Sequence, residues 1–348
     1  MRIYLAGTTV SNPDEEKEIM ALFNQGHKLH SFFHCSHEKG FEYRWYNTMK
    51  KNKVDLFLDS GAFSAWSQGS EIDIQEYIAF IKKHEQDLEV YANLDVIGDA
   101  EGTWKNQKIM EDAGLNPLPV YHYGAPEKWL TRYLKAGYDY IALGGMVPIT
   151  TGQLQQWLDR IFSDYLTDES GMPVIRVHGF GLTSLRLMLR YPWYSVDSTS
   201  WVMTGRMGSI YVPRFKNGQW VYDEESWKVA VSNRSPGTSE AGKHFLTLTQ
   251  KQRELVLEYM SSKGYEYGES EFRQEAQDYS LKDNEKWAEK KPKDKQAKRR
   301  VEVIKVPGVS NKYQLRDEMN IIYFMDLEKT MPAYPWAMKK QVRKGFGF

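Results

Sequence analysis

The sequence predicts an α/β protein: a (β/α)8 barrel of the TIM type over roughly the first 200 residues, followed by a C-terminal α+β extension. Three observations carry this reading. Eight short apolar runs rich in Ile, Val, Leu and aromatic residues lie before Trp201. Segments with apolar residues at helical spacing separate most of them, at intervals of roughly 20–35 residues, and that alternation implies parallel strands. Beyond Trp201 the alternation stops. A doubly wound open sheet is the alternative. No Gly-x-Gly-x-x-Gly follows the first strand, which weakens a dinucleotide-binding version of it.

Arg2 to Ala6 opens the chain as a strand closed by Gly7, and residues 14–23 read as a helix with acids in its first turn. Lys28 to Phe33 is the second strand, residues 41–51 a helix, and Val54 to Asp59 the third strand. Ile74, Tyr77, Ile78 and Ile81 recur at helical spacing behind the capping pattern Asp73-x-x-Glu76. Leu88 to Asp95 is the fourth strand, and a helix over Glu101 to Ala113 stops at Gly114. Leu118 to His122 is the fifth strand, followed by a helix opened by Pro126 and ending near Gly137. Tyr138 to Leu143 is the sixth strand, and Gln153 to Leu166 an amphipathic helix. Pro173 to His178 is the seventh strand, Thr183 to Arg190 a short helix, and Tyr194 to Asp197 the eighth strand.

In the second part, Ser209 to Arg214 and Gln219 to Tyr222 suggest a hairpin turning at Asn217-Gly218. Thr249-x-x-Gln252 opens a helix that Gly264 stops. Residues 267–300 are polar and end in a basic run; they read either as a solvated segment or as a phosphate-contacting arm. Asn320 to Leu327 is apolar and is expected to dock on the core. The domain reading is therefore a barrel over residues 1–215 and an extension over 216–348.

Charge balances at 46 Lys+Arg against 46 Asp+Glu, but unevenly along the chain. Residues 1–200 hold 19 basic and 26 acidic side chains, and residues 201–348 hold 27 and 20. The basic excess marks the second part as the one to face a polyanion. One cysteine, Cys35, excludes an internal disulfide and any multi-cysteine zinc site. His34-Cys35-Ser36-His37 offers ligand types without a fourth partner, so it reads as packing or surface and no metal is expected. With no signal-peptide pattern and no apolar run of membrane-spanning length, a soluble cytoplasmic protein without membrane contact is expected.

Active sites of such barrels lie at the C-terminal ends of the strands. Here those ends are Asp59-Ser60-Gly61, Asp95, His122-Tyr123, Gly144-Gly145-Met146, His178-Gly179-Phe180-Gly181 and Asp197-Ser198. An aspartate ending a buried strand can simply accept amide bonds from the next turn. Three such carboxylates around one mouth repel, which raises at least one pKa and separates a proton handler from an ionised partner. Two carboxylates flanking a sugar carbon are the apparatus of retaining glycosyl transfer. A third could accept hydrogen bonds from the N1–H and 2-amino edge of guanine. Ser60, Gly61 and His178 belong to the same ligand-facing set, because each ends a strand at this mouth.

Asp59-Ser60-Gly61-Ala62-Phe63, then Asp95, then Ala142-Leu143-Gly144-Gly145-Met146, then Val196-Asp197 resembles the motif order of the tRNA-guanine transglycosylase superfamily. Leu58-Asp59-Ser60-Gly61-Ala62-Phe63-Ser64-Ala65 and Val196-Asp197-Ser198-Thr199-Ser200-Trp201 look closer still to its phage branch, the DNA-guanine transglycosylases. The resemblance spans about residues 1–215. It implies exchange of guanine in duplex DNA for a free 7-deazaguanine base, with base flipping, no cofactor, and a location in the host cytoplasm for a phage-encoded chain. It further implies that Asp197 is the nucleophile on C1′ and Asp59 the general acid/base. Asp95 would read the base edge, Gly144 and Gly145 would offer backbone bonds, and Met146 would lie beside the 7-substituent. His122 falls near a base-binding glutamine of the family, and Phe63 and Tyr123 would stack. Ala62 departs from the family's second glycine, and the tRNA enzymes' three-cysteine zinc site is absent. The same exchange on tRNA, a glycosidase or N-glycosylase acting with water, and a non-catalytic nucleic-acid-binding protein are the alternatives.

Overall fold

The computed structural model describes residues 1–7, 22, 26–37, 53–234, 241–294 and 296–339. The helices expected over 14–23 and 41–51 lie almost wholly outside them, as does the basic stretch beyond Lys339. Two compact units divide the chain: one holds residues 1–199 and 327–348, the other 200–326.

The first unit is a mixed α/β body around a curled sheet of eight parallel strands, consistent with a TIM-like fold. The strands are β1 (Arg2–Ala6), β2 (His27–Ser31), β3 (Asp55–Asp59), β4 (Val90–Tyr91), β5 (Val120–His122), β6 (Tyr140–Gly144), β7 (Arg176–Gly179) and β8 (Ser195–Ser198). Their order is β4-β3-β2-β1-β8-β7-β6-β5. A parallel bridge between Ala92 and Leu118 joins the strands at the two ends of that order. Every strand expected before residue 200 is present. Most are trimmed by one to three residues, because the apolar runs extend past the paired segments. β4 is the shortest, since pairing stops before Asn93-Leu94-Asp95. Tyr4, Ala6, Leu29, Phe57, Ala92, Leu118, Val120 and Ala142 form one buried cluster supplied by β1, β2, β3, β5, β6 and the bridge between Ala92 and Leu118.

The helices follow their local signals. In helix Ile74–His84, Asp73 caps the Gln75 amide at 2.7 Å, and Tyr77, Ile78 and Ile81 are buried. Each of these buried side chains contributes about 1.5–3 kcal/mol. Helix Ala100–Asp112 starts at Asp99, whose carboxylate accepts from two amides. Gly114, at φ 85°, follows its end. The chain beyond Leu327 returns to this unit. Glu328 accepts from the Ile3 amide at 2.7 Å, and the Met338 amide donates to Gly171 at 2.8 Å.

The second unit differs from the sequence reading in two places. The hairpin is β10 (Arg214–Lys216) with β11 (Gln219–Val221), whereas β9 (Ser209–Val212) pairs antiparallel with β12 (Trp227–Ala230). Asn217 and Gly218, at φ 49° and 78°, make the tight turn. Pro213 separates β9 from β10, so the run from Ser209 to Arg214 serves two different partners. The polar stretch 267–300 contains paired strands, and only Glu285 among its described residues is buried. β13 (Glu269–Glu275), β14 (Glu285–Trp287) and β15 (Arg299–Val306) form an antiparallel sheet in the order β13-β15-β14. Its buried residues are the consecutive Val301, Glu302 and Val303 of β15 with Glu285 of β14, two of the four acidic, so no apolar pattern marks it in the sequence. The unit's core gathers Ile210, Val229, Phe245, Val256, Tyr259 and Met319. Thr249 and Gln252 form the expected capping box of helix Gln250–Ser262.

Candidate active site

The C-terminal ends of β3, β6, β7 and β8, with the turns after β4 and β5, bring the sequence-selected residues to one end of the first unit. Asp59 ends β3. Its carboxylate accepts from the Gly61 amide at 3.0 Å, the Asx-turn expected of an aspartate that ends a buried strand. That bond does not keep it acidic. Burial first, and then the charges of Asp95 and Asp197, push its carboxyl up to about 8. At neutral pH Asp59 is therefore mostly a neutral acid, able to give a proton and able to take one back as it ionises.

Asp95 lies four residues past β4, in a turn held by helix Ala100–Asp112. Asn93 donates to the Thr103 carbonyl, and Asn106 to the Leu94 carbonyl, each at 2.8 Å. One Asp95 oxygen accepts from Ser60 Oγ at 3.1 Å, and the other lies 2.8 Å from His122 Nε2. Both side chains of the His122–Asp95 pair remain slightly open, at 13% each. Ser60 is fully buried, and its hydroxyl donates to Asp95.

Gly61 is required twice over. Its φ is 81°, and a Cβ there would stand 2.3 Å from Ser31 Oγ and 2.5 Å from Phe33 Cβ. Gly144 lies against the His122 ring, where a Cβ would come within 2.8 Å of Cδ2. Tyr123 donates its amide to the Gly144 carbonyl at 2.9 Å and packs edge-on against Trp157. Gly145 is exposed and Met146 is buried. Phe63 is 52% exposed and lies with Trp66, 61% exposed, on helix Ala62–Ser67 directly after the Asp59 turn.

Asp197, near the end of β8, is almost buried. Its Oδ1 accepts from the Gly181 amide at 2.9 Å and lies 3.3 Å from His178 Nε2. Among the described residues no donor reaches Oδ2. His178 is fully buried against Asp197, and burial lowers its pKa against the raising influence of Asp197. Sequence reasoning assigned no role to Ser195 and Tyr140, which continue this cluster behind His178. The available signal was strand periodicity: Ser195 is two residues before Asp197, and Tyr140 lies four before Gly144, on the same faces.

The arrangement holds three carboxylates of different character. One has its carboxyl pushed up to about 8, one is bound on both oxygens by neighbours, and one keeps an oxygen that no donor among the described residues reaches. Among the described residues no group of three or more His, Cys, Asp or Glu side chains has the arrangement of a metal site. None of the described helices is long and apolar enough to cross a membrane. No protein-family model matches the chain, and no curated protein matches it at a significant level.

Proposed function

We propose that this chain is a DNA-guanine transglycosylase, replacing guanine in DNA by a 7-deazaguanine base through a covalent aspartyl–deoxyribose intermediate. The observation that carries the reading is Asp59 at the end of β3, its carboxyl pushed up to about 8 by burial and by the nearby charges of Asp95 and Asp197. In the first half-reaction Asp197 Oδ2 forms a bond to C1′ as the C1′–N9 bond breaks. The electron pair leaves with guanine, which takes the Asp59 proton. In the second half the Asp59 carboxylate removes a proton from the incoming base. The base nitrogen bonds to C1′, and the C1′–Oδ2 electron pair returns to Asp197. Asp95, held by Ser60 and His122, receives the N–H edge of the base in this reading. Gly144 and Gly145 leave backbone within its reach, and Phe63 and Tyr123 supply flat faces for stacking.

In duplex DNA the base must leave the stack before C1′ is reachable. The basic excess of residues 201–348 supports a polyanionic partner. The test is a denaturing separation of enzyme mixed with duplex DNA. Wild-type protein is expected to yield an enzyme–DNA adduct that Asp197→Ala lacks. An adduct with Asp197→Ala would remove the nucleophile assignment, and an adduct with tRNA alone would move the activity to that substrate.

A further inference from the structure

We propose that Tyr140, Ser195 and His178 form a one-way hydrogen-bond line that fixes Asp197 from behind, selects Oδ2 as the oxygen that bonds to the sugar, and makes Asp197 a better leaving group in the second half of the exchange. The proposal rests on the reading of Asp197 as nucleophile and extends it to three positioning residues.

The direction of the line follows from the partners. A carboxylate can only accept, so His178 must carry its proton on Nε2, 3.3 Å from Asp197 Oδ1. Nδ1 is then the bare nitrogen, and the Ser195 hydroxyl, 2.6 Å away, donates to it. That uses the only proton on Ser195 Oγ, which therefore accepts from the Tyr140 hydroxyl at 2.6 Å. Each donor determines the next, and the tautomer of the ring is settled by groups on two other strands. The ring cannot turn aside. It is fully buried, with Phe57 and Phe180 at 4.6 Å and Tyr4 at 6.2 Å between ring centroids. Burial also disfavours the imidazolium, so the line delivers a neutral N–H and not a charge.

The chemical consequence lies at Oδ1. The Gly181 amide and His178 Nε2–H both point at this oxygen, leaving Oδ2 as the open one. In the covalent intermediate Oδ1 is the ester carbonyl oxygen. As the incoming nitrogen bonds to C1′, the C1′–Oδ2 pair returns to the carboxylate and negative charge grows on Oδ1, where the two donors receive it. Loss of the His178 donor should therefore slow release of the sugar from the enzyme more than its capture, and the adduct should accumulate. A merely structural defect would act the other way, lowering adduct formation.

The experiment uses the full chain, duplex DNA and free guanine. Adduct is formed first, guanine is added, and adduct decay is followed in wild type, His178→Leu, His178→Gln, Ser195→Ala and Tyr140→Phe. Decay is expected to slow about 10- to 100-fold in His178→Leu. Ser195→Ala, which releases the tautomer, should slow it less, and Tyr140→Phe least. Half-saturating guanine should stay unchanged, and His178→Gln, which keeps a donor near Nε2, should restore most of the rate. Wild-type decay in His178→Leu with a raised half-saturating guanine would overturn the proposal and make His178 a ligand contact. Nitrogen-15 spectra of the wild-type histidines test the line without catalysis and without any variant. A neutral Nε2–H ring at His178 is expected, and an Nδ1–H ring would overturn it. Absence of any wild-type adduct would refute the transglycosylase reading alone, because the tautomer is read separately.

Discussion

At the level of single residues, the site depends on which groups are allowed to ionise. Asp59, partly buried beside two other carboxylates, has its carboxyl pushed up to about 8 by desolvation first and then by those charges. Asp59→Asn is isosteric and cannot exchange a proton, so base exchange should fall by about 10²- to 10⁴-fold, measured as guanine released per turnover. Activity at the level of wild type would remove Asp59 from proton transfer. Gly61→Ala would meet Ser31 and Phe33 in a left-handed backbone conformation. A loss of about 1–3 kcal/mol in urea unfolding is expected, with activity lost as the Asp59 turn shifts. An alanine accommodated at no cost would contradict the argued tightness of this turn. Ala62, the departure from the glycine of the resembled motif, is a buried residue in the first turn of a helix, where a methyl group is tolerated.

At the level of elements, the strands of the first unit were legible because buried parallel strands are continuous apolar runs bounded by glycine or acid. Asp59, Asp95, His122, Gly144 and Asp197 could be placed by topology alone, since each follows such a run. The roles of Ser60 and His178 could not. Whether a strand-end polar residue faces the mouth or turns back onto another residue depends on packing, and both are buried against an aspartate. The second unit was harder to read because its strands are antiparallel, half-exposed and rich in charged residues. In β13 the sequence Glu269-Ser270-Glu271-Phe272-Arg273 hides one paired face among charges. The connection between β14 and β15 carries Lys290, Lys291, Lys293 and Lys298 on the surface. Its base is pinned by Gln277 on the Asp294 and Ala297 carbonyls and by Arg299 over Trp287 at 4.4 Å. Replacing these four lysines by alanine should lower the slope of log affinity for duplex DNA against log salt by about 0.9 for each phosphate they neutralise. An unchanged slope in a binding titration would show that this connection touches no phosphate.

At the scale of the whole molecule, the buried ionisable groups set the pH range of stability. Asp59 at about 8 and Asp317 at about 7 both bind their proton more tightly folded than unfolded. The stability they provide is complete below the ordinary carboxylate range and is lost as pH rises towards 7 and 8. His30 and His178 are buried and shifted down, so the unfolded chain takes up protons below about 6.5 that the folded chain refuses. The two effects oppose each other between about pH 4 and 6.5, and above that range the aspartate loss continues after the histidines have stopped titrating. Stability should therefore fall on the alkaline side of about pH 6.5, and Asp59→Asn should flatten that limb in thermal unfolding. An alkaline limb identical in wild type and Asp59→Asn would contradict the raised carboxyl. The central claim is that one end of the first unit exchanges a base through Asp197. The most direct measurement supplies labelled guanine with duplex DNA and counts label in the recovered strand. Wild-type protein should transfer label into DNA and Asp197→Ala should transfer none. Label in neither, or equal label in both, would contradict the account.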